Sequence, residues 1–550
     1  MADNDPENET KWLLEENDSD GLHEDGDQQL IHERKRSESR AGDIYTYEEA
    51  IVQTGYGKFQ VLLVLLCGWA VSSDAVEVLS VSFLLPSATC DLNLTSSDKG
   101  WLNAIVFVGM MVGGYFWGSL ADNLGRRSVL MWSLTVNGLG GLLSSTSQVF
   151  WLFLILRFIS GIGVGGSIPV IFTYFVEFQP KNKRGSMISL LATFWMGGNI
   201  LAAGLAWLVI PHEGLGYFSP TFKYNSWRIF IALCTIPSLS SAAMFVLMPE
   251  SPKFLLRTGK ELEAIRTLQK VHHTNKHKEP FKVQALVLSD NEKDNIDSMG
   301  MSDRHEQNKH TNNSKWYQCI NIKSIKQLLV STKTLFTGSL VKPTIILLII
   351  NFTLSFGYYG LFMWFPELFN RIDKYGGTPC NPGVINTTAT YNNSTSDCGT
   401  PNDWVFFEGF MTALSNLPAN IFTIIMMDRL GRKTLLASSM VISGICVFFI
   451  WFVQTKVENL VMSCLFGMVS TVGWNALDVL SAEAFPTEVR STAMGIQQAL
   501  ARVGAILGNI IFGELVDVHC AIPMLLVAAL LAFGGLVSIR LPNTTNKDIH

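Results

Sequence analysis

Asp122-Asn-Leu-Gly125-Arg126-Arg127 returns 306 residues later, from 122 to 428, as Asp428-Arg-Leu-Gly431-Arg432-Lys433. The same offset joins Glu177, Pro180 and Arg184 to Glu483, Pro486 and Arg490. Each string lies between long apolar runs, where polar groups are costly. A constant offset across more than half of the chain marks a duplicated half-protein. In membranes, two tandem halves with a site between them form a transporter architecture.

The distribution of apolar residues agrees. Hydrophobic content is 48% over 550 residues, a value that a soluble protein also reaches. Residues 1–50 and 255–335 are almost wholly polar, so the remainder is far more apolar than the mean. Twelve runs have spanning length, near 61–86, 101–120, 128–147, 150–175, 187–210, 228–248, 343–367, 404–426, 434–453, 459–482, 492–516 and 521–540. Small residues such as those of Gly161-Ile-Gly-Val-Gly-Gly166 allow membrane helices to approach closely.

Residues 1–50 lack the early apolar core of a signal peptide, so the first run is expected to serve as the insertion signal. Arg126, Arg127, Lys181, Lys183, Arg184, Arg429, Arg432, Lys433 and Arg490 all follow even-numbered runs. The excess of Lys and Arg in these short loops predicts that both termini are cytosolic. The expected fold class is an all-α membrane protein of twelve transmembrane helices in two six-helix bundles.

The expected divisions follow from composition. Residues 1–50 read as a disordered acidic cytosolic tail. Residues 51–248 form the first bundle, 249–342 a cytosolic connection, 343–541 the second bundle and 542–550 a short cytosolic tail. The connection contains a helical stretch, Leu255–Val271, expected against the cytosolic face. Loop 371–403 belongs on the other side, with sequons at Asn386, Asn392 and Asn393. Of nine cysteines, Cys90, Cys380, Cys398 and Cys520 share that side, which suits an oxidising compartment. Cys380–Cys398, within one loop, is the expected bridge, and Cys90–Cys520 is the other option.

The repeated loop resembles the signature of the major facilitator superfamily. Arg157-Phe-Ile-Ser-Gly161, Trp227-Arg228 and Pro249-Glu-Ser-Pro-Lys-Phe254 resemble sugar-porter and organic-ion-porter motifs. The likeness narrows at Ser73-Asp-Ala-Val-Glu77, Gly166-Ser-Ile-Pro-Val, Ser355-Phe-Gly-Tyr-Tyr-Gly360 and Trp474-Asn-Ala-Leu-Asp478. These segments resemble the synaptic vesicle glycoprotein 2 family. That family carries a long repeat domain between the seventh and eighth helices. Here the loop is only 371–403, so this chain reads as a short-looped relative, and contacts made by that domain are not carried over.

Three sets of residues then become candidates. Asp74 and Glu77 lie one helical turn apart inside a span, and two carboxylates there cannot both be ionised cheaply. With Asp478 they are the candidate coupling carboxylates. The resemblance implies a central pocket for small amide ligands, carried here by Trp195, Tyr358, Tyr359, Trp474 and Asp478. It also implies that Asp122, Arg126, Glu177, Arg184, Asp428, Arg432, Glu483 and Arg490 act as gating charges that hold one face closed.

The expected function is a secondary transporter in a vesicle membrane, moving a small organic solute by alternating access with proton or cation coupling. Two rivals stand beside it: a non-transporting vesicle protein that regulates exocytosis, and a plasma-membrane sugar or organic-cation porter. Beyond the lipid bilayer, the resemblance implies synaptotagmin as a partner of the N-terminus. Glu9-Thr-Lys-Trp-Leu13-Leu14 fits a pattern read by sorting adaptors. No phosphate loop, metal cluster, cofactor motif or enzyme site stands out, and nothing points to nucleic acid.

Overall fold

The computed structural model describes residues 44–541, apart from 182, 213–215, 220–221, 276–280, 288–329, 331, 376, 379–380, 383–400, 451, 454 and 520. The first half of the chain holds α2 (Lys58–Asp91), α3 (Ser96–Leu124), α4 (Arg126–Thr146), α5 (Phe150–Val176), α6 (Arg184–Val209), and the pair α7 (Ser226–Cys234) and α8 (Ile236–Phe245). The second holds α11 (Val341–Phe362), α12 (Phe365–Tyr375), α13 (Asp403–Leu430), α14 (Arg432–Ile450), α15 (Lys456–Glu483), α16 (Thr487–His519) and α17 (Ala521–Ser538). Eleven helical segments among the described residues are long and apolar enough to cross a membrane. α4 occupies the place of the third expected run but falls short on apolarity. Arg126, Arg127, Asn137 and several Ser residues dilute its 21 positions.

The repeat is visible in the backbone. α3 and α13 both end at a Gly-Arg step, Gly125 with φ 94° and Gly431 with φ 83°. That left-handed conformation suits glycine, so each loop turns within one residue. Each half packs its own helices: α3 on α5, α4 on α5 and α2 on α6, then α11 on α16, α14 on α17 and α13 on α15. The halves meet where α3 packs on α16 and α6 packs on α13. The end of the bundle bearing the two Gly-Arg steps is here termed the loop end, and the opposite one the far end.

Outside the bundle, β1 (Ile44–Thr46) pairs in parallel with β2 (Ala285–Val287). Between them in sequence lie α1 (Tyr47–Gln53), α9 (Pro252–Arg257) and α10 (Glu261–Asn275). Tyr47, Ala50 and Ile51 bury against Leu255, Ala264, Ile265 and Leu268. Residues 44–50, expected within a disordered tail, form β1 and the start of α1. The apolar face of α1 and the Thr46 capping box order the last residues of that stretch. The helix expected over Leu255–Val271 is broken at Gly259, which takes φ 74°.

Candidate functional site

Asp74 and Glu77 are both buried on α2. Glu77 pairs with Arg157 of α5 and accepts a hydrogen bond from Ser160. Asp74 accepts from Ser167 Oγ at 2.7 Å and from Asn137 Nδ2 at 3.3 Å. Asn137 in turn lies 3.0 Å from Ser160 through its Oδ1, so the two carboxylates belong to one polar network. Their roles differ. Glu77 faces a guanidinium, while Asp74 faces only neutral donors among the described residues. Arg157 also stands over the Phe153 ring, at 5.2 Å.

The aromatic residues of the predicted pocket gather between α11 and α15. Tyr358 and Tyr359 lie 6.1 and 5.9 Å, ring to ring, from Trp474. Phe107 of the first half meets Tyr359 at 4.8 Å, so the cluster spans both halves. Arg502, near the middle of α16, places its guanidinium 5.9 Å from Phe107. Trp195 is half-buried at the edge of the two main cores, and no ring stacks on it among the described residues. Asp478 lies one turn beyond Trp474. It is exposed, on the same face of α15 as Trp474, whose ring meets Tyr358 and Tyr359.

A polar chain runs beside this cluster. Asn475 Nδ2 donates to Asn420 Oδ1 at 2.7 Å, and Asn420 Nδ2 donates to Thr193 Oγ1 at 3.1 Å. Thr193 spends its one proton on the Ser189 carbonyl, 3.0 Å away. It can therefore only accept from Asn420, which fixes the direction of both amides. The chain crosses from the first half to the second. Sequence reading missed Thr193, Asn420 and Asn475, because single polar residues in a span carry no period.

At the loop end the repeated charges pair within their own halves. Arg126 lies 3.0 Å from Asp122 and 3.5 Å from Glu177. The twin pair, Arg432 and Glu483, is 3.3 Å apart. Arg184 and Arg490 each donate through Nε to the carbonyl five residues back, and Arg184 also meets Glu48 of α1 at 2.7 Å. The Asp428 side chain lies outside the described residues. Burial raises the Glu177 carboxyl above its ordinary value, against the opposing pull of Arg126. A cleft of about 410 Å³ opens here, lined by Arg126, Phe172, Glu177, Arg184, Lys253 and Arg257 among others. It is separate from the aromatic cluster.

At the far end the ion pairs cross between the halves. Lys99 of α3 binds Glu367 of α12 at 2.6 Å. Glu367 also meets Arg371 at 3.2 Å, and Arg371 reaches Asp517 of α16 at 2.8 Å. Gly100 and Gly513 bring α3 and α16 together beside them. A Cβ on either would stand 2.8 Å from a carbonyl oxygen of the other helix. Trp207 closes the α6–α13 contact against Phe407 and Phe410, at 5.4 and 5.5 Å. Sequence reading missed Lys99, Glu367, Arg371 and Asp517, which become neighbours only when the halves dock.

Cys90, near the far end of α2, is disulfide-bonded, and Cys67, Cys234, Cys446 and Cys464 are free. The expected bridge Cys380–Cys398 and the sequons at Asn386, Asn392 and Asn393 lie outside the described residues, as does the Glu9–Leu14 pattern.

Comparison with known proteins supplies the wider frame. Residues 56–372 match the family model "Sugar (and other) transporter", and residues 407–549 match "Major Facilitator Superfamily". Synaptic vesicle glycoprotein 2C of Mus musculus is 34% identical over 95% of this chain and 84% of its own length. Synaptic vesicle glycoprotein 2B of Homo sapiens is 35% identical over 95% of this chain and 89% of its own. In structure, the partially occluded inward open form of the xylose transporter XylE from E. coli superposes with a TM-score of 0.62, at 18% identity. That superposition covers 89% of this chain and 99% of the other.

Proposed function

Since the chain belongs to the synaptic vesicle glycoprotein 2 family, within the major facilitator superfamily, we propose that it is a vesicle-membrane transporter that moves a small organic solute by alternating access. The observation that carries this reading is the contrast between the two ends. At the far end charged residues bridge the halves, and at the loop end they pair within them. Around a central cluster of rings, that is the arrangement expected of a carrier closed on one side. A ligand moves such an equilibrium only through different affinities for its two states.

In this reading twelve helices cross the membrane, with α4 as the third and α7–α8 together as the sixth. The loop end and both termini are cytosolic, and the far end is luminal. The bundles comprise residues 51–248 and 343–541, joined by 249–342. Trp195, Tyr358, Tyr359, Trp474 and Asp478 form the solute site. Asp74 is the foremost coupling carboxylate, because Glu77 is committed to Arg157. Protonation there gives one bundle a charge that changes with the pH on either side. The N-terminal tail is the part that meets sorting adaptors and synaptotagmin. Loop 371–403 carries the glycans.

Reconstitution tests this. The purified chain in liposomes, with and without a pH gradient, is to be screened with hexoses, amines and carboxylates. Saturable uptake that Asp478→Asn removes supports transport. Absence of uptake for every class, by a protein that still sorts to vesicles, rejects it.

A further inference from the structure

Two charges in the central space have no counter-ion among the described residues. Arg502 lies mid-span on α16, half-buried, with its guanidinium over the ring of Phe107. Asp478 on α15 is exposed, on the face of Trp474. Neither makes a hydrogen bond or an ion pair with another described residue. Other charges in the interior are satisfied: Glu77 pairs with Arg157, Asp91 with Arg228 and Lys99 with Glu367, and Asp74 accepts from Ser167 and Asn137. A lone charge at this depth is costly, and a cation and an anion kept apart are costlier than the same two joined.

One row of rings connects them. Arg502 covers Phe107, Phe107 meets Tyr359, and Tyr359 meets Trp474, one helical turn before Asp478. We infer that the central site takes a zwitterionic organic solute, its carboxylate on Arg502, its ammonium on Asp478 and its carbon skeleton along Tyr359 and Trp474. This inference rests on the reading of the central space as the solute site.

The chemistry at each end suits the assignment. A guanidinium presents parallel donors that match a carboxylate in a bidentate pair. The anionic end has a second acceptor. The directed chain from Asn475 through Asn420 to Thr193 uses the Asn475 amide protons and leaves Asn475 Oδ1 to accept. Asn475 and Asp478 are three residues apart, on one face of α15. Two acceptors on that face meet an ammonium, which has three donors and no acceptor. A solute with a single charge satisfies one end and leaves the other unpaired. Trp474 Nε1, buried and without a partner among the described residues, adds one donor between the ends.

The test uses the full chain in nanodiscs and radiolabelled probes of matched skeleton. For three lengths, glycine, 4-aminobutanoate and 6-aminohexanoate are each compared with the amine and the carboxylate that lack the other charge. The zwitterion of the fitting length should bind about 10-fold or more tightly than either single-charge analogue, the usual worth of one charged hydrogen-bonded contact. Arg502→Gln should bring its affinity down to that of the amine and leave the amine unchanged. Asp478→Asn should do the converse, and Arg502→Lys should restore part of the loss, which excludes simple misfolding. Equal affinities within every matched set, or variants that weaken all three probes alike, overturn the inference. Binding of a hexose that Trp474→Ala removes, without zwitterion binding, rejects the inference and leaves the solute site standing. No binding of any probe or hexose rejects both.

Discussion

Lys99 and Glu367 sit on different halves of the chain and meet at 2.6 Å, with side chains only 7% and 4% exposed. Glu367 also holds Arg371, so one carboxylate joins α3 to α12 and, through Arg371 and Asp517, to α16. This cluster ties the halves together at the far end, and in the proposed carrier it is what holds that end closed.

Loss of Glu367 should therefore open that end. Breaking a buried pair by removing one partner costs about 3–5 kcal/mol. About 5.5 kcal/mol inverts a two-state population from 1:99 to 99:1, so Glu367→Gln should move most of it. A cysteine placed at Ser82, fully buried where it donates to the Met363 carbonyl across the halves, should become reactive to a luminal thiol reagent when Glu367→Gln is present and stay protected when it is not. Lys99→Glu combined with Glu367→Lys should restore part of the protection. Unchanged labelling would show that the cluster does not hold the far end.

Glu77 and Arg157 form a second buried pair, inside one bundle. Arg157→Met leaves the Glu77 charge uncompensated and should cost about 3–5 kcal/mol. The melting temperature of the detergent-purified protein should fall. Glu77→Gln added to Arg157→Met should recover part of that loss, since no lone charge remains. Additive losses would contradict the pairing.

Asp74 is held by Ser167 and Asn137 and by no cation among the described residues. Asp74→Asn keeps a side chain that both can meet. The variant should fold and bind solute while its uptake loses dependence on a pH gradient. Uptake still driven by the gradient would assign coupling to another carboxylate, with Asp478 next.

Glu177 gives a prediction in pH. Its carboxyl is raised in the folded chain by burial. A raised value means that the folded state holds the proton more tightly than the unfolded state. The resulting stability is fully present below the ordinary carboxyl value of 4.5 and is lost as pH rises through the folded value. Melting temperature should fall across that window in the wild type, and Glu177→Gln should flatten this part of the profile. An identical slope in both proteins would contradict the assignment.

Some of this was legible in the order of residues, and some was not. The duplicated Gly-Arg loops and the charges at Glu177 and Glu483 repeat at one offset, and the folded chain carries twin turns and twin ion pairs there. Local signals of this kind survive because each pair lies within one half. Lys99 and Glu367 are 268 positions apart, and no period relates them. Their contact follows from how the halves dock. Arg502 did leave a signal: of the two charges in the apolar run 492–516, it is the one near the middle, where charge is most expensive, while Glu514 stands at the end. Loops and tails set the boundaries least well. The ordered α1 lies within a stretch whose overall acidity masks the apolar face of Tyr47, Ala50 and Ile51.

Movement of a solute across the membrane is what separates a carrier from a non-transporting vesicle protein. Uptake of radiolabelled hexoses, amines, carboxylates and zwitterions into sealed proteoliposomes, without ATP, measures it. Saturable uptake of one class, abolished by Asp478→Asn and by Trp474→Ala in protein that melts normally, is the predicted result. Uptake no greater than in protein-free liposomes for every class would contradict it.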